Sequence, residues 1–262
     1  MNTIQESNTI VLAHGLFVTP KSWEGWKFFF EEKGYTVHTP PNPYHNLSPA
    51  EMWTNTPPEL GKVTLEDVVQ NLADFIDTLP EKPIVIGHSL GGLAVQKLVE
   101  LNKATLGICI DGAAPLGILT TQWSFLKSNL PVLNPLQGDS VFHPTKEWLH
   151  YTFCNTMSRE ESDQVFDELI VPESRNIPRG TAHKYSKIDF EKAHVPLLFI
   201  AGEKDHIIPM GLNKKNFDAY KDENSIKEFK VFPGRGHFIC GDKNWKEVAT
   251  YVDEWIKKYN VN

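Results

Sequence analysis

The chain reads as an α/β protein: a mainly parallel sheet of about six strands flanked by helices, with a helical cap inserted between the fourth and fifth strands. Two observations predict this. Short apolar runs alternate with longer amphipathic stretches, the pattern of βαβ units. One long stretch, 115–190, breaks the alternation and carries Trp123, Phe125, Leu126, Leu130, Trp148, Tyr151 and Phe153 in short pieces cut by prolines.

In chain order, the strand-like runs are 9–13, 35–38, 83–87, 106–111, 195–201 and 227–232. The first helix spans 20–33, because Pro20 suits a first helical position and Gly34 suits the residue after a last one. A second, 65–79, starts behind Thr64 as N-cap, and Leu65, Val68, Val69, Leu72, Phe75, Ile76 and Leu79 recur at helical spacing. That stripe packs on a sheet. Helices at 90–102, 210–221 and 243–259 complete the alternation. Residues 40–63 hold Pro40, Pro41, Pro43, Pro49, Pro57 and Pro58 among Tyr44, Met52 and Trp53, and read as an ordered loop, since a linker would lack large aromatics. The core therefore comprises 1–114 and 191–262, and the cap 115–190 lies over the carboxyl ends of the strands, where open α/β sheets bind ligands.

Composition narrows the function classes. Hydrophobic residues make up 40% and charged residues 23%, ordinary values for a soluble globular protein. The net charge of −7 argues against nucleic acid, whose phosphate backbone demands clustered Lys and Arg. Nothing resembles a signal-peptide core or a membrane helix. Cys109, Cys154 and Cys240 are widely spaced and odd in number, so they suggest buried thiols in a reducing cytoplasm. Neither H-x-H nor H-x-x-x-H occurs, so no metal is expected.

The chemistry is concentrated in Gly87-His88-Ser89-Leu90-Gly91-Gly92, which joins an Ile/Val strand to an amphipathic helix. This is a G-x-S-x-G elbow in its required strand–turn–helix context. A sharp turn strains the serine backbone, and side chains two residues away on either side would strike neighbouring backbone, hence the glycines. The first strand ends in His14-Gly15-Leu16-Phe17, with Trp23 beyond. The fifth strand ends in Gly202-Glu203-Lys204-Asp205, and the last is followed by Gly234-Arg235-Gly236-His237.

On these residues, in this order and over nearly its whole length, the chain resembles the α/β-hydrolase superfamily, in particular serine esterase- and lipase-like members with a helical cap. The resemblance implies Ser89 as nucleophile, His237 as general base and Asp205 as the acid that orients it. It also implies an oxyanion hole from the backbone N–H groups of Leu16 and Leu90, with Phe17 as the fallback if the loop is shifted by one. Two rival acids stand beside Asp205: Asp111 at the end of the fourth strand, and Glu203. His14 is expected to hold its loop without reacting. Serine in place of aspartate at the elbow disfavours dehalogenase and epoxide hydrolase chemistry. The chain enters the sheet about nine residues in, leaving no room for an initial antiparallel hairpin.

The expected activity is hydrolysis of a carboxylic ester or lactone through an acyl-serine. Thioester, amide and acyl-transfer chemistry share the machinery, and a triad-based lyase or a non-catalytic binder are further alternatives. No cofactor is needed. The partner is a small molecule in a largely hydrophobic pocket of roughly a few hundred Å³, for which Phe17, Trp53, Trp123, Phe125 and Phe238 are candidates. Lys127, Lys146 and Arg175 are expected to be solvated surface rather than ligands of an anionic substrate. Monomer and homodimer remain equally compatible.

Overall fold

The computed structural model describes residues 6–260, so the first five and last two residues of the expected core segments lie outside the described residues. Strand β1 (Thr9–Ala13) enters the sheet directly. A 3-10 turn, Pro20–Trp23, capped by the Thr19 side chain, leads into α1 (Glu24–Glu31). Gly34, at φ 93°, closes that helix before β2 (Thr36–His38). There follow α2 (Pro49–Thr54), α3 (Leu65–Asp77), β3 (Ile84–His88), α4 (Leu90–Glu100) and β4 (Leu106–Ile110). After β4 the chain forms α5 (Trp123–Leu133), β5 (Val141–Phe142), α6 (Lys146–Thr152), α7 (Arg159–Leu169), β6 (Glu173–Ser174) and α8 (Asn176–Arg179). Strand β7 (Leu197–Gly202), α9 (Met210–Ala219), β8 (Lys227–Phe232) and α10 (Trp245–Tyr259) finish the fold.

The main sheet has six strands in the order β2-β1-β3-β4-β7-β8, every neighbouring pair parallel. A parallel sheet must be covered on both faces, so its strands are apolar throughout. In β1, Val11 and Ala13 face the α3 and α4 side, while Ile10 and Leu12 face Trp23, Trp26, Phe30, Val248 and Val252 on the other. Each fully buried aliphatic side chain contributes about 1.5–3 kcal/mol. The chain leaves β1 to one side for β2 and returns on the other side for β3. The loops after β1 and β3 therefore diverge at a topological switch point, and a crevice opens there.

One expectation needs correction. The 40–63 region is not a loop throughout: it contains α2 and a 3-10 helix, Pro58–Lys62. The signal lies in Ser48-Pro49-Ala50-Glu51, a capping box in which Ser48 and Glu51 satisfy each other's backbone N–H groups, with proline at the first helical position. The inserted segment packs into the same core as the sheet and its helices. Val132, Phe142, Leu149, Phe153, Ile170, Val171 and Ile177 belong to the same buried cluster as Leu65, Leu72 and Leu93. Elsewhere strand and helix ends differ from expectation by one or two residues, as terminal turns commonly do. Among the described residues no helix is long and apolar enough to cross a membrane.

Candidate active site

Ser89 follows β3 in a positive-φ conformation, φ 57° and ψ −120°, a strain of order 1–3 kcal/mol for a non-glycine residue. Its surroundings hold it there. Ser89 N–H donates to the Ile110 carbonyl at 2.9 Å, and the Ser89 carbonyl accepts from Gly92 at 3.0 Å and Ala113 at 2.9 Å. A Cβ at Gly87 would lie 2.1 Å from the Gly91 carbonyl oxygen, and one at Gly91 2.1 Å from the Ala13 oxygen. Glycine is therefore a steric necessity on both sides of the serine. Gly15 backs directly onto the serine, since its Cβ would fall 2.8 Å from Ser89 Cβ. Leu90 opens α4, and its N–H is among the first-turn donors without an intrahelical acceptor, at the positive end of the helix dipole.

Asp205 and His237 meet from the loops after β7 and β8. His237 Nδ1 lies 2.6 Å from Asp205 Oδ2, and both side chains are fully buried. The other carboxylate oxygen of Asp205 accepts the N–H groups of Ile207 at 2.8 Å and Ile208 at 2.9 Å. His237 Nε2 is buried with no partner among the described residues. The elbow and this pair are joined by His88, whose Nε2 donates to the His237 carbonyl at 2.8 Å and whose ring lies 4.6 Å from the His237 ring. Burial pulls His237 down to about 3, so the imidazole is held neutral, the state a general base requires.

The rival acids take other roles. Asp111, just past β4 at φ 43°, accepts Gly202 N–H at 2.7 Å and shares a hydrogen bond with Asp205. Burial and then the Asp205 charge push its carboxyl well above the usual range. Burial also raises Asp205, but the amides of Ile208 and Ile207 and the bond from Asp111 favour its ionised form. The shared proton therefore resides on Asp111, which has one amide donor against two amides and an imidazole at Asp205. Glu203 instead accepts Gly234 N–H at 2.9 Å in an exposed turn. His88, Asp111 and His237 place ligand-type atoms within 4.8 Å of one another, a convergence that sequence spacing could not reveal. His88 Nε2 is engaged with the His237 carbonyl and His237 Nδ1 with Asp205, while His237 Nε2 has no partner among the described residues.

His14 is buried and donates Nδ1–H to the Gly15 carbonyl at 2.8 Å, while its Nε2 accepts Asn42 N–H at 3.1 Å. It is a neutral loop anchor, pulled down to about 3 by burial and then by neighbouring His45. Phe17 N–H is directed to Glu173 Oε2 at 3.4 Å, so it is committed to the cap, and Leu16 is left as the loop's candidate oxyanion donor.

Of the expected pocket residues, Phe17 and Phe238 lie at the site and two others do not. Phe17 is buried against Phe142, Trp148 and Phe153 at ring distances of 5.0–6.1 Å. Phe238 lines a small cavity with Gly15, Leu16, His88 and Phe153. Phe125 is half-buried against the main core cluster. Trp123 is 71% exposed on the outer surface, because the α5 face that carries it has no covering element. Trp53 faces α7 rather than the crevice: its Nε1 donates to the Ile170 carbonyl at 2.7 Å and its ring packs on Phe166 and His143. Phe153, with its edge on the His237 ring at 4.6 Å, is at the site although periodicity alone does not single it out; Trp148 packs on it, and Phe142 packs on Trp148. The cavity beside Gly15 and Leu16 holds only about 20 Å³, room for roughly one water and far below the expected pocket. Lys127 lies over the Tyr151 ring, Lys146 pairs with Asp167 and Arg175 binds the Val132 carbonyl, so each has a partner within the chain.

Comparison with known proteins agrees with this architecture. The model of the alpha/beta hydrolase family matches residues 10–250. A search of curated protein sequences found no match. Among solved structures, an extracellular alpha/beta-hydrolase from a Paenibacillus species aligns with TM-score 0.68 at 19% identity, covering 94% of this chain and 98% of its own. A monoacylglycerol lipase of Paleococcus ferrophilus aligns with TM-score 0.66 at 19% identity, covering 97% and 96%. Polyneuridine aldehyde esterase aligns with TM-score 0.62 at 17% identity, covering 95% and 99%.

Proposed function

Because the chain belongs to the α/β-hydrolase family, we propose that it is a serine hydrolase that cleaves a carboxylic ester or lactone of a small, largely hydrophobic substrate. The observation that carries this reading is His237: Nδ1 tied to Asp205 at 2.6 Å, Nε2 without a partner among the described residues, and the whole ring linked to the Ser89 elbow through His88. That arrangement supplies what a serine hydroxyl lacks at neutral pH, a base fixed in the correct tautomer.

In the proposed cycle, Ser89 Oγ attacks the substrate carbonyl carbon as its proton passes to His237 Nε2. The negative charge that develops on the carbonyl oxygen is met by the N–H groups of Leu16 and Leu90. Collapse of the intermediate expels the alcohol, which takes the proton from His237 and leaves an acyl-serine. Water then attacks, His237 removes its proton, and Ser89 is released with the acid. Asp205 stays ionised and stabilises the transient imidazolium.

The aromatic cluster of Phe17, Phe142, Trp148 and Phe153 supports an apolar acyl pocket, since it bridges the loop after β1 and the His237 ring. Ser89 is only 6% exposed and Phe153 stands with its edge on the His237 ring, so the site is closed in this structure. The esterase and lipase among the structural neighbours are consistent with ester chemistry.

The test is turnover of p-nitrophenyl esters of increasing chain length together with labelling by a fluorophosphonate probe. Native protein is expected to be labelled on Ser89 and to favour short to medium apolar chains, and Ser89→Ala to lose both activities. Absence of labelling in folded native protein sinks the nucleophile assignment. Labelling without turnover of any ester points instead to thioester, amide or acyl-transfer substrates.

A further inference from the structure

Glu173 is an acidic residue with no solvent exposure, carried by the short cap strand β6. Its Oε1 accepts Ser174 N–H at 2.8 Å, and its Oε2 faces two groups of the core, Phe17 N–H at 3.4 Å and His45 Nε2 at 3.1 Å. Two residues earlier, Val171 N–H donates to the Phe17 carbonyl at 2.8 Å. One cap segment thus holds both polar groups of Phe17, which sits at φ 67° where a bulky residue is strained. On the other side, His14 Nδ1–H holds the Gly15 carbonyl at 2.8 Å. The peptide before Leu16 is therefore fixed by His14, and the peptide after it by Glu173.

His45 Nδ1 lies 3.0 Å from the Pro43 carbonyl, which can only accept, so Nδ1 carries a proton. Its Nε2 lies 3.1 Å from Glu173 Oε2 without hydrogen-bond alignment, a buried close contact between the 40–63 region and the cap. The ionisable groups facing His45 are Glu173 from β6 and His14, whose ring is 5.6 Å away.

We infer that Glu173, in contact with His45, is a positioning residue that aligns the Leu16 N–H for the oxyanion, so that the hole is complete only while the β6 segment of the cap is docked. This rests on the proposed serine-hydrolase reading. It couples access to competence: displacing the cap to admit substrate releases the Phe17 clamp, and redocking over bound substrate restores the donor.

Three variants test it on the full chain with a p-nitrophenyl ester that native protein turns over, each checked for folding by circular dichroism. Glu173→Leu removes the acceptor for Phe17 N–H and is expected to lower kcat about 100-fold with KM changed less than about threefold, the scale of a donor displaced by about 1 Å. Glu173→Gln can set its carbonyl oxygen at the Oε2 position and accept Phe17 N–H, but its NH2 then opposes Ser174 N–H, so it is expected to recover only part of the lost kcat. His45→Ala, which leaves Glu173 in place, is expected to lower kcat about tenfold and serves if Glu173→Leu does not fold. Folded Glu173→Leu or His45→Ala with native kcat, while Ser89→Ala is inactive, overturns the inference and leaves the hydrolase reading intact. Turnover by Ser89→Ala overturns both.

Discussion

Asp205 and Asp111 show how far a single residue's role depends on its partners. Both are buried carboxyls at strand ends, but Asp205 receives two amides and the His237 imidazole, whereas Asp111 receives one amide and keeps the proton. Asp205→Asn is expected to lower kcat by about 10⁴, because the amide favours the wrong imidazole tautomer. Asp111→Asn should cost at most about tenfold, since an amide can accept from Gly202 and still donate to Asp205 as the neutral acid does. Parallel kcat measurements on the two variants decide this, and the reverse ranking would make Asp111 the acid. For His237, burial lowers the pKa, so the base remains neutral into more acid solution than a free imidazole. The acid limb of kcat/KM should therefore fall below about pH 6.5. A midpoint above about 7 contradicts a buried, neutral His237 in the free enzyme. Ser89 and His237 were legible in the chain because their glycine-flanked motifs are local. The choice of acid was less so, because hydrogen-bond count at a strand end depends on loops distant in sequence.

At the scale of elements, the sheet and its covering helices followed from periodicity, as in α3, whose Leu65, Val68, Val69, Leu72 and Ile76 are all buried and whose Thr64–Asp67 capping box marks its start. Helix α2 is hard to read from the chain because its short sequence is dominated by neighbouring prolines, although the Ser48–Glu51 box marks it. An aromatic in a loop suggests a ligand, so the chain alone points Trp53 to the pocket. In the fold it ties α2 to the segment after α7 through the Ile170 carbonyl. Trp53→Ala should therefore destabilise by about 1–2 kcal/mol, the loss of one hydrogen bond and partial packing. Thermal melts and proteolysis of the α7 region measure it. An unchanged melting temperature would mean that this contact is not what holds the cap.

On the scale of the whole molecule, the site is sealed by elements that share the core, and its electrostatics belong to that closed state. His14, His88 and His237 are each pulled down to about 3 by burial, against about 6.5 in an unfolded chain. Their folded-state values are depressed, so the stability they confer is complete above about pH 6.5 and is lost as pH falls toward 3, where only the unfolded chain takes up their protons. Asp111, protonated in the fold, offsets one of the three. His45 is raised: burial lowers it, but Glu173 and the Pro43 carbonyl more than compensate, so its contribution is complete at low pH and is lost only as pH rises through its folded value. The balance predicts a melting temperature that falls between about pH 7 and pH 4, and one that holds or rises would contradict neutral buried histidines. By itself the chain determined the α/β architecture, the elbow and the order of the candidate site residues, because hydrophobic period and tight-turn sterics act over a few neighbouring positions. Only the tertiary structure decided which carboxylate reaches His237, which aromatics close over it and that Glu173 reaches back to Phe17. Each of those is a contact between side chains far apart in sequence, and only folding sets its distance and its burial.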